Sequence, residues 1–360
     1  MRVVGRQARC AAIRTGALIV ASLVLGLGLV EVFLRAFVPA MAAGSAARFA
    51  LDPDLVYRLA PDNAVTWSSA EFTETSRTNA LGLRGAALGP KTPGTRRILA
   101  IGDSFTYGHG VQDDETYPAV VERVLRRRGY GVEVVNAGVP GYSTDQAYTW
   151  MLRDGLALRP DLVLMGVHCS DVSDNFESSL YDLDGERLVR RGAEATRMYR
   201  LGSVVGLVPS AVRRSRVFDL LVASIAWHDA PSALPPVADL DGWSFAKIRL
   251  EALDLAARVP GLAVILMPCK KAIGGADPYG PLAAEFAAAD VPVLAALPAL
   301  EEAGDPRTYF FRDDPHLNAD GNRVLATIVA DFLDARGLLD GAAGPRAPSP
   351  PVMAIHAANR

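Results

Sequence analysis

The chain has 360 residues, half of them hydrophobic, so it can form one large domain or two small ones around a sizeable core. Its formal net charge of -3 gives no indication of a nucleic-acid partner. The three cysteines form neither a disulfide framework nor a zinc-binding pattern.

The amino terminus has the pattern of a membrane anchor. Four arginines within residues 1–14 precede an apolar segment over 15–38, which approaches the roughly 20 residues that a membrane-spanning helix needs. We predict a basic cytoplasmic segment, one transmembrane helix, and an extracytoplasmic remainder that faces the periplasm. Ala40-Met41-Ala42 resembles a signal-peptidase site, so a cleaved signal peptide is the alternative; the length of the segment favours the anchor.

The remainder divides into a spacer, a main domain and a tail. Residues 39–95 have no long helical period, which indicates an extended, partly strand-forming spacer packed on the main domain. Residues 176–236 interrupt the pattern of the main domain (96–336), and we interpret them as an insertion that shapes or covers the site. Residues 341–360 are rich in Ala and Pro and are expected to be disordered.

Five apolar runs alternate with helical patterns across the main domain. They lie at about 97–101, 131–136, 161–167, 262–267 and 291–296, and the third is almost continuously apolar, as in strands buried on both faces. The alternation predicts an α/β fold with a central, parallel, five-stranded sheet. Because loops at the carboxyl ends of parallel strands share one edge of the sheet, polar residues there are the candidate site.

Two of these loops carry residues suited to nucleophilic catalysis. Ser104 follows the first strand, where Asp103-Ser104 alone would suggest a helix cap. Asp313 lies three residues before His316 in the last loop, so one short segment can supply a general base and its orienting carboxylate. Backbone amides of Ser104 and Gly141, in a glycine-rich loop, are expected to stabilise a developing oxyanion.

The motifs in these loops resemble the successive blocks of the SGNH (GDSL-type) hydrolases. The resemblance implies a flavodoxin-like three-layer α/β/α domain and an esterase that forms an acyl-serine. It also implies Ser104 as nucleophile, His316 as base, Asp313 as its partner and Gly141 as an oxyanion donor, with no cofactor or metal. The matching segments are Gly102-Asp103-Ser104-Phe105, Asn136-Ala137-Gly138-Val139-Pro140-Gly141, Ser170-Asp171 and Asp313-Asp314-Pro315-His316.

The third block departs from the family pattern. The family has Gly-Asn-Asp, with the asparagine as an oxyanion donor, whereas this chain has Cys169-Ser170-Asp171. Ser170 is the expected replacement, and Asn175 is a possible substitute for which a structural role fits better.

Other polar residues near these blocks match no family position. We expect His109 and His168 to form local hydrogen bonds. Cys169 and Cys269 follow strands that can be adjacent; we expect free buried thiols, with a disulfide as the alternative outside the cytoplasm.

These features lead to one functional hypothesis and two alternatives. We expect a membrane-anchored serine esterase that removes acyl groups, for example acetyl, from a glycan or lipid of the cell envelope. The same acyl-serine could instead pass its acyl group to an exported polysaccharide, alongside envelope polysaccharide machinery. Ser170 in place of asparagine motivates the other alternative, a non-catalytic glycan-binding or assembly protein that keeps the fold.

Overall fold

A computed structural model describes residues 2–37, 48–206, 208, 212, 215–218, 221 and 239–340. The strands in chain order are β1 (Phe49–Asp52), β2 (Val56–Leu59), β3 (Ala64–Ser68), β4 (Thr73–Arg77), β5 (Arg96–Gly102), β6 (Val132–Gly138), β7 (Leu162–Val167), β8 (Tyr181–Leu183), β9 (Leu188–Arg190), β10 (Leu262–Leu266) and β11 (Val293–Ala295). The α-helices are α1 (Arg2–Phe37), α2 (Ser104–Tyr107), α3 (Tyr117–Arg127), α4 (Thr144–Trp150), α5 (Asp171–Glu177), α6 (Arg197–Gly206), α7 (Leu240–Arg258), α8 (Gly280–Ala288), α9 (Ala296–Ala303) and α10 (Ala319–Ala335).

The five predicted strands form one parallel sheet in the order β11-β10-β7-β5-β6. Every residue of β7 and of β10 is buried, which agrees with their uninterrupted apolar sequences. β5 lies between β6 and β7, so its carboxyl end opens near the middle of the sheet edge. The predicted α/β fold with a central parallel five-stranded sheet is therefore confirmed.

Helices cover both faces of this sheet. Leu99 and Ile101 of β5 pack into one core cluster with residues of α4, α7 and α8, whereas Ile98 and Ala100 pack into a second cluster with residues of α3, α9 and α10. This alternation follows from the two-residue period of a strand. Each large apolar side chain buried in this way contributes about 1.5–3 kcal/mol, so the two clusters hold the three layers together.

Helix α1 contains a 23-residue stretch, Arg14–Ala36, with mean hydropathy 2.5 and no part of its most apolar window buried. At about 1.5 Å per residue it reaches roughly 35 Å, enough to cross a bilayer core of about 30 Å. This stretch is long and apolar enough for a membrane span or a signal sequence. Near its end, Glu31 pairs with Arg35 at 2.6 Å and accepts a hydrogen bond from Ser215.

Two antiparallel hairpins, β1–β2 and β3–β4, precede the sheet. A third hairpin, β8–β9, lies after β7, and Asp184 and Gly185 are in the segment that connects its strands. Residues 222–236 of the predicted insertion and the whole predicted tail, 341–360, lie outside the described residues. The boundaries given for the spacer, main domain and insertion stay predictions.

Candidate active site

Ser104 is the first residue of α2 and lies two residues after the end of β5. The carboxylate of Asp103 accepts the backbone N–H of Phe105 at 2.9 Å, so Asp103 caps the helix and Ser104 does not have to. Gly102 has a φ of 147°, and a Cβ there would lie 2.5 Å from Oγ1 of Thr106. The Gly-Asp-Ser sequence therefore makes a tight strand-to-helix turn that leaves Ser104 available for chemistry.

Arg84, from the segment that leads into the sheet, holds the loop after Ser104 in place. Its guanidinium donates to the carbonyls of Tyr107, Gly108 and Val111 at 2.6–2.9 Å and pairs with Asp113. The side chain is only 1% exposed. Because a planar guanidinium offers five donors in a fixed arrangement, one residue satisfies several loop carbonyls at once.

His316 connects the last loop to Ser104. Its Nε2 lies 2.7 Å from Oγ of Ser104, and its Nδ1 lies 2.6 Å from Oδ1 of Asp314. A carboxylate can only accept, so the ring carries its proton on Nδ1 and presents a lone pair on Nε2 to the serine hydroxyl. This is the tautomer that a general base for Ser104 requires.

The prediction that Asp313 orients His316 is wrong, because Asp314 makes that contact. The side chain of Asp313 is 70% exposed and pairs with the neighbouring Arg312 at 3.1 Å. Asp314 also accepts the backbone N–H of His316 at 2.9 Å, in a turn with Pro315 at its centre. Burial is the largest single influence and acts to raise the pKa of Asp314, but the side-chain and backbone hydrogen bonds and the electrostatic attraction of His316 together outweigh it and hold the pKa below the usual value of 3.8.

Gly141 lies in the loop between β6 and α4. Its φ of 77° is in the left-handed region, and a Cβ there would lie 2.8 Å from the hydroxyl of Tyr57. Tyr57, on β2, donates that hydroxyl to the carbonyl of Pro140 at 3.1 Å. Glycine is therefore required both by the backbone conformation and by the close approach of the first hairpin.

Ser170 bonds to the ring of His168. Its Oγ lies 3.0 Å from Nδ1 of His168, and its backbone N–H donates to the same nitrogen at 3.3 Å. Since the N–H must donate, Nδ1 is an acceptor, and the hydroxyl donates to it as well. Burial lowers the pKa of His168 to about 3, so the ring is neutral near pH 7. The ring stacks on Phe105, next to Ser104, with 3.9 Å between centroids.

Cys169 and Cys269 form a disulfide, with 6.0 Å between their Cα atoms. The expectation of free thiols is wrong because β7 and β10 are adjacent and parallel, and each cysteine follows its strand by two or three residues. The bond joins the loop that carries Ser170 to the loop after β10.

The two remaining polar residues singled out in the sequence are Asn175 and His109. Asn175 is fully buried and bonds to the hydroxyls of Thr144 and Ser244, which agrees with a structural role. The prediction of a local hydrogen bond is wrong for His109, because its Nδ1 is buried and has no hydrogen-bond partner in the described part of the chain. Its ring lies 4.7 Å from that of His316. Burial, and next the charge of His316, lower the pKa of His109 to about 3, so it is neutral near pH 7.

Among the described residues, two groups of side chains are close enough together to bind a metal ion. In the first, His168 with Cys169 and Cys269, the two sulfurs are bonded to each other and are not thiolate ligands. In the second, His109 with Asp314 and His316, both ring nitrogens of His316 are engaged by Asp314 and Ser104. The sulfurs of the first group and the ring of His316 in the second are thus already bonded to other protein atoms.

Sequence comparison matches residues 100–324 to the model of the GDSL-like lipase/acylhydrolase family. Comparison with curated proteins gives no significant match. Three solved structures are similar to this chain. LAE5, an α/β hydrolase from the metagenome of Lake Arreo in Spain, is 18% identical with a TM-score of 0.42, and the match covers 68% of this chain and 97% of LAE5. The acetylxylan esterase Axe2 from Geobacillus stearothermophilus is 14% identical with a TM-score of 0.42, covering 66% of this chain and 94% of Axe2, and a lipase/acylhydrolase from Enterococcus faecalis is 16% identical with a TM-score of 0.39, covering 67% and 96%. Because the family model covers more than half of the chain, this protein belongs to the GDSL-like lipase/acylhydrolase family and is a carboxylic-ester hydrolase.

Proposed function

We propose that the protein is a serine esterase in which Ser104 is the nucleophile, His316 the general base and Asp314 the residue that orients it. The observation that carries this proposal is the continuous hydrogen-bonded chain from Ser104 Oγ through His316 to Asp314, with distances of 2.7 and 2.6 Å. A serine hydroxyl is a weak nucleophile until a neutral imidazole accepts its proton.

The reaction proceeds through an acyl-serine. Oγ of Ser104 attacks the ester carbonyl carbon while its proton moves to Nε2 of His316, and that proton then leaves with the alcohol. Water attacks the acyl-serine, gives a proton to His316, and releases the carboxylic acid as Ser104 recovers its hydrogen. Asp314 stays ionised throughout, as its lowered pKa requires, and stabilises the imidazolium.

We propose that the backbone N–H groups of Ser104 and Gly141 donate hydrogen bonds to the oxyanion that forms during the reaction, with the hydroxyl of Ser170 as a third donor. A fixed donor is typically worth about 3 kcal/mol of transition-state stabilisation. Ser104 opens α2, and the first amides of a helix have no partner within the helix. The hydroxyl of Ser170 has to rotate away from His168 before it can donate, which reduces its contribution.

We propose that α1 anchors the enzyme in the cytoplasmic membrane, with the catalytic domain in the periplasm. Two independent features support this: the apolar stretch Arg14–Ala36 follows an arginine-rich segment, and the disulfide is of a kind that persists in oxidising compartments. The proposed substrates are therefore acyl esters, acetyl among them, on glycans or lipids of the cell envelope.

The full-length protein in detergent, given an acetylated envelope polysaccharide, a lipid ester and a small acetyl ester, tests this proposal. We expect release of acetate by the wild type and none by Ser104→Ala. Acetylation of an added glycan acceptor, with little free acetate, would assign a transferase instead. A folded wild type that releases no acid from any of the three would contradict the esterase and support a binding role.

A further inference from the structure

The loop that contains Asp314 and His316 has no regular secondary structure, yet its backbone is held from two sides. We call residues 311–316 the acid/base loop. On one side, the carboxylate of Glu71 accepts the backbone N–H groups of Arg312, Asp313 and Asp314, at 2.7, 3.0 and 2.8 Å. Three successive amides that converge on one carboxylate form a compact anion-binding turn, so one side chain fixes the direction of all three peptide units.

On the other side, Lys270 binds the carbonyls of the same loop. Its Nζ donates to the carbonyl oxygens of Phe311 and Arg312, both at 2.7 Å, and to that of Asp314 at 3.1 Å. An ammonium group has three N–H donors, so these contacts use its full capacity. Lys270 directly follows Cys269, which the disulfide ties to the neighbouring strand end. The ammonium group of Lys270 therefore lies on a loop whose position is restrained by the disulfide.

The hairpin that carries Glu71 also packs against the site. Phe72 lies with its ring centroid 4.7 Å from that of Phe311 and 5.3 Å from that of His109. A Cβ at Gly110 would lie 2.5 Å from the ring of Phe311, so the aromatic residues leave little free space there. The turn between β3 and β4 thus contacts both the acid/base loop and the loop that follows Ser104.

We propose that Glu71 and Lys270 are positioning residues that clamp the acid/base loop and thereby hold Asp314 against His316. The proposal rests on the catalytic roles proposed above for Ser104, His316 and Asp314. Without the carboxylate of Glu71, the three loop N–H groups hydrogen-bond to water instead, and their peptide units are free to rotate. A displacement of about 1 Å in a catalytic group can cost a hundredfold in rate.

The clamp also makes the region before the main domain part of the active site. Glu71 lies upstream of residue 100, where the family match begins. The two clamp residues have opposite charges: Glu71 binds the N–H groups of the acid/base loop, and Lys270 binds its carbonyl groups. The spacer is then required for catalysis, and not only for the distance between the domain and α1.

The test uses Glu71→Ala, Glu71→Gln and Lys270→Met in the full-length protein. Glu302→Ala and Lys271→Met are matched controls, because both side chains are exposed and lie outside the catalytic machinery proposed above. For the three clamp variants we expect kcat on a small ester to fall by about 10- to 100-fold, with KM within about threefold of wild type. Gln is isosteric with Glu but keeps only one acceptor oxygen and turns an NH2 group toward the remaining loop amide, so its loss should lie at the lower end of this range.

The separation of kcat from KM and one further measurement distinguish positioning from a purely structural role. Hydrogen exchange of the amides of residues 312–314 should accelerate in Glu71→Ala and Glu71→Gln, and stay unchanged in Glu302→Ala.

Unchanged exchange at residues 312–314 in both Glu71 variants would overturn the clamp, whatever the enzyme hydrolyses. Faster exchange with wild-type kcat would overturn its positioning role. By contrast, a Ser104→Ala variant that hydrolyses esters as well as wild type would overturn the proposed function, while the exchange data would still decide whether Glu71 holds the loop.

Discussion

Nδ1 of His316 and Oδ1 of Asp314 lie 2.6 Å apart, and the same carboxylate oxygen accepts the backbone N–H of His316 at 2.9 Å. One oxygen thus binds both the ring and the main chain of a single residue. This double contact fixes the direction of the ring, so that Nε2 points at Ser104. The neighbouring Asp313 takes no part, because its side chain is turned to solvent and pairs with Arg312.

Replacing these two aspartates separates their roles. Asp314→Asn should lower kcat on a small ester by about 10³- to 10⁴-fold, because an amide can stabilise the wrong tautomer of His316 and cannot stabilise the imidazolium. Asp313→Asn should stay within about threefold of wild type, as expected for an exposed ion pair. Steady-state kinetics on both variants is the measurement. The opposite order of the two effects would return the role to Asp313.

The position of Ser170 predicts a moderate effect on turnover. Ser170→Ala should lower kcat by about tenfold, less than the 10²- to 10³-fold typical of a fixed oxyanion donor, because the hydroxyl is bound to His168 at rest. Ser203→Ala, an exposed serine on α6, is the control and should leave kcat unchanged. A loss of 10³-fold would show that the hydroxyl is already fixed at the oxyanion, and no loss would remove it from the site.

The disulfide between Cys169 and Cys269 closes a loop of 100 residues in sequence. The double variant Cys169→Ser/Cys269→Ser should lower the free energy of unfolding by about 2–4 kcal/mol, because the unfolded chain regains conformational freedom. Denaturant unfolding measures this, with Cys10→Ser as the matched control. Three free thiols in the unreduced wild type, or a double variant as stable as wild type, would contradict the bond.

The lowered pKa of His168 leads us to expect that the protein loses stability at acid pH. Because its folded-state pKa of about 3 is below the usual 6.5, the unfolded state binds more protons between these values, and stability falls as pH falls through them. The contribution is about 2 kcal/mol between about pH 7.5 and pH 5. His168→Phe keeps the stacking on Phe105 and removes the titration, so its melting temperature should fall by several degrees less over this range. An equal fall in both proteins would contradict this assignment.

Much of the fold and part of the site follow from local sequence patterns. The continuous apolar run before Gly102 predicts β5, and the glycine and aspartate after it predict a sharp turn, so the position of Ser104 could be predicted. The orienting aspartate was missed by one residue, because side-chain direction in a loop depends on its turns. Asp314-Pro315 is a typical start of a turn whose third residue donates to the aspartate, and this signal identifies Asp314 in retrospect.

Contacts between distant segments carry no comparable signal. Glu71 binds amides that lie more than 240 residues away along the chain, and nothing in the sequence around it indicates that partner. The disulfide depends on β7 and β10 being neighbours, which is a property of the strand order and not of either strand. Both features become visible only once the three-dimensional fold is known.

Mass spectrometry of the full-length protein after reaction with a fluorophosphonate tests the catalytic role of Ser104 most directly. We predict that the probe labels Ser104 in the wild type, and that labelling is lost in Ser104→Ala and falls by at least about a hundredfold in rate in His316→Ala. Asp313→Asn should label at the wild-type rate. Absence of label in folded wild-type protein, or label on another residue, would contradict the proposal that Ser104, activated by His316 and Asp314, is the nucleophile.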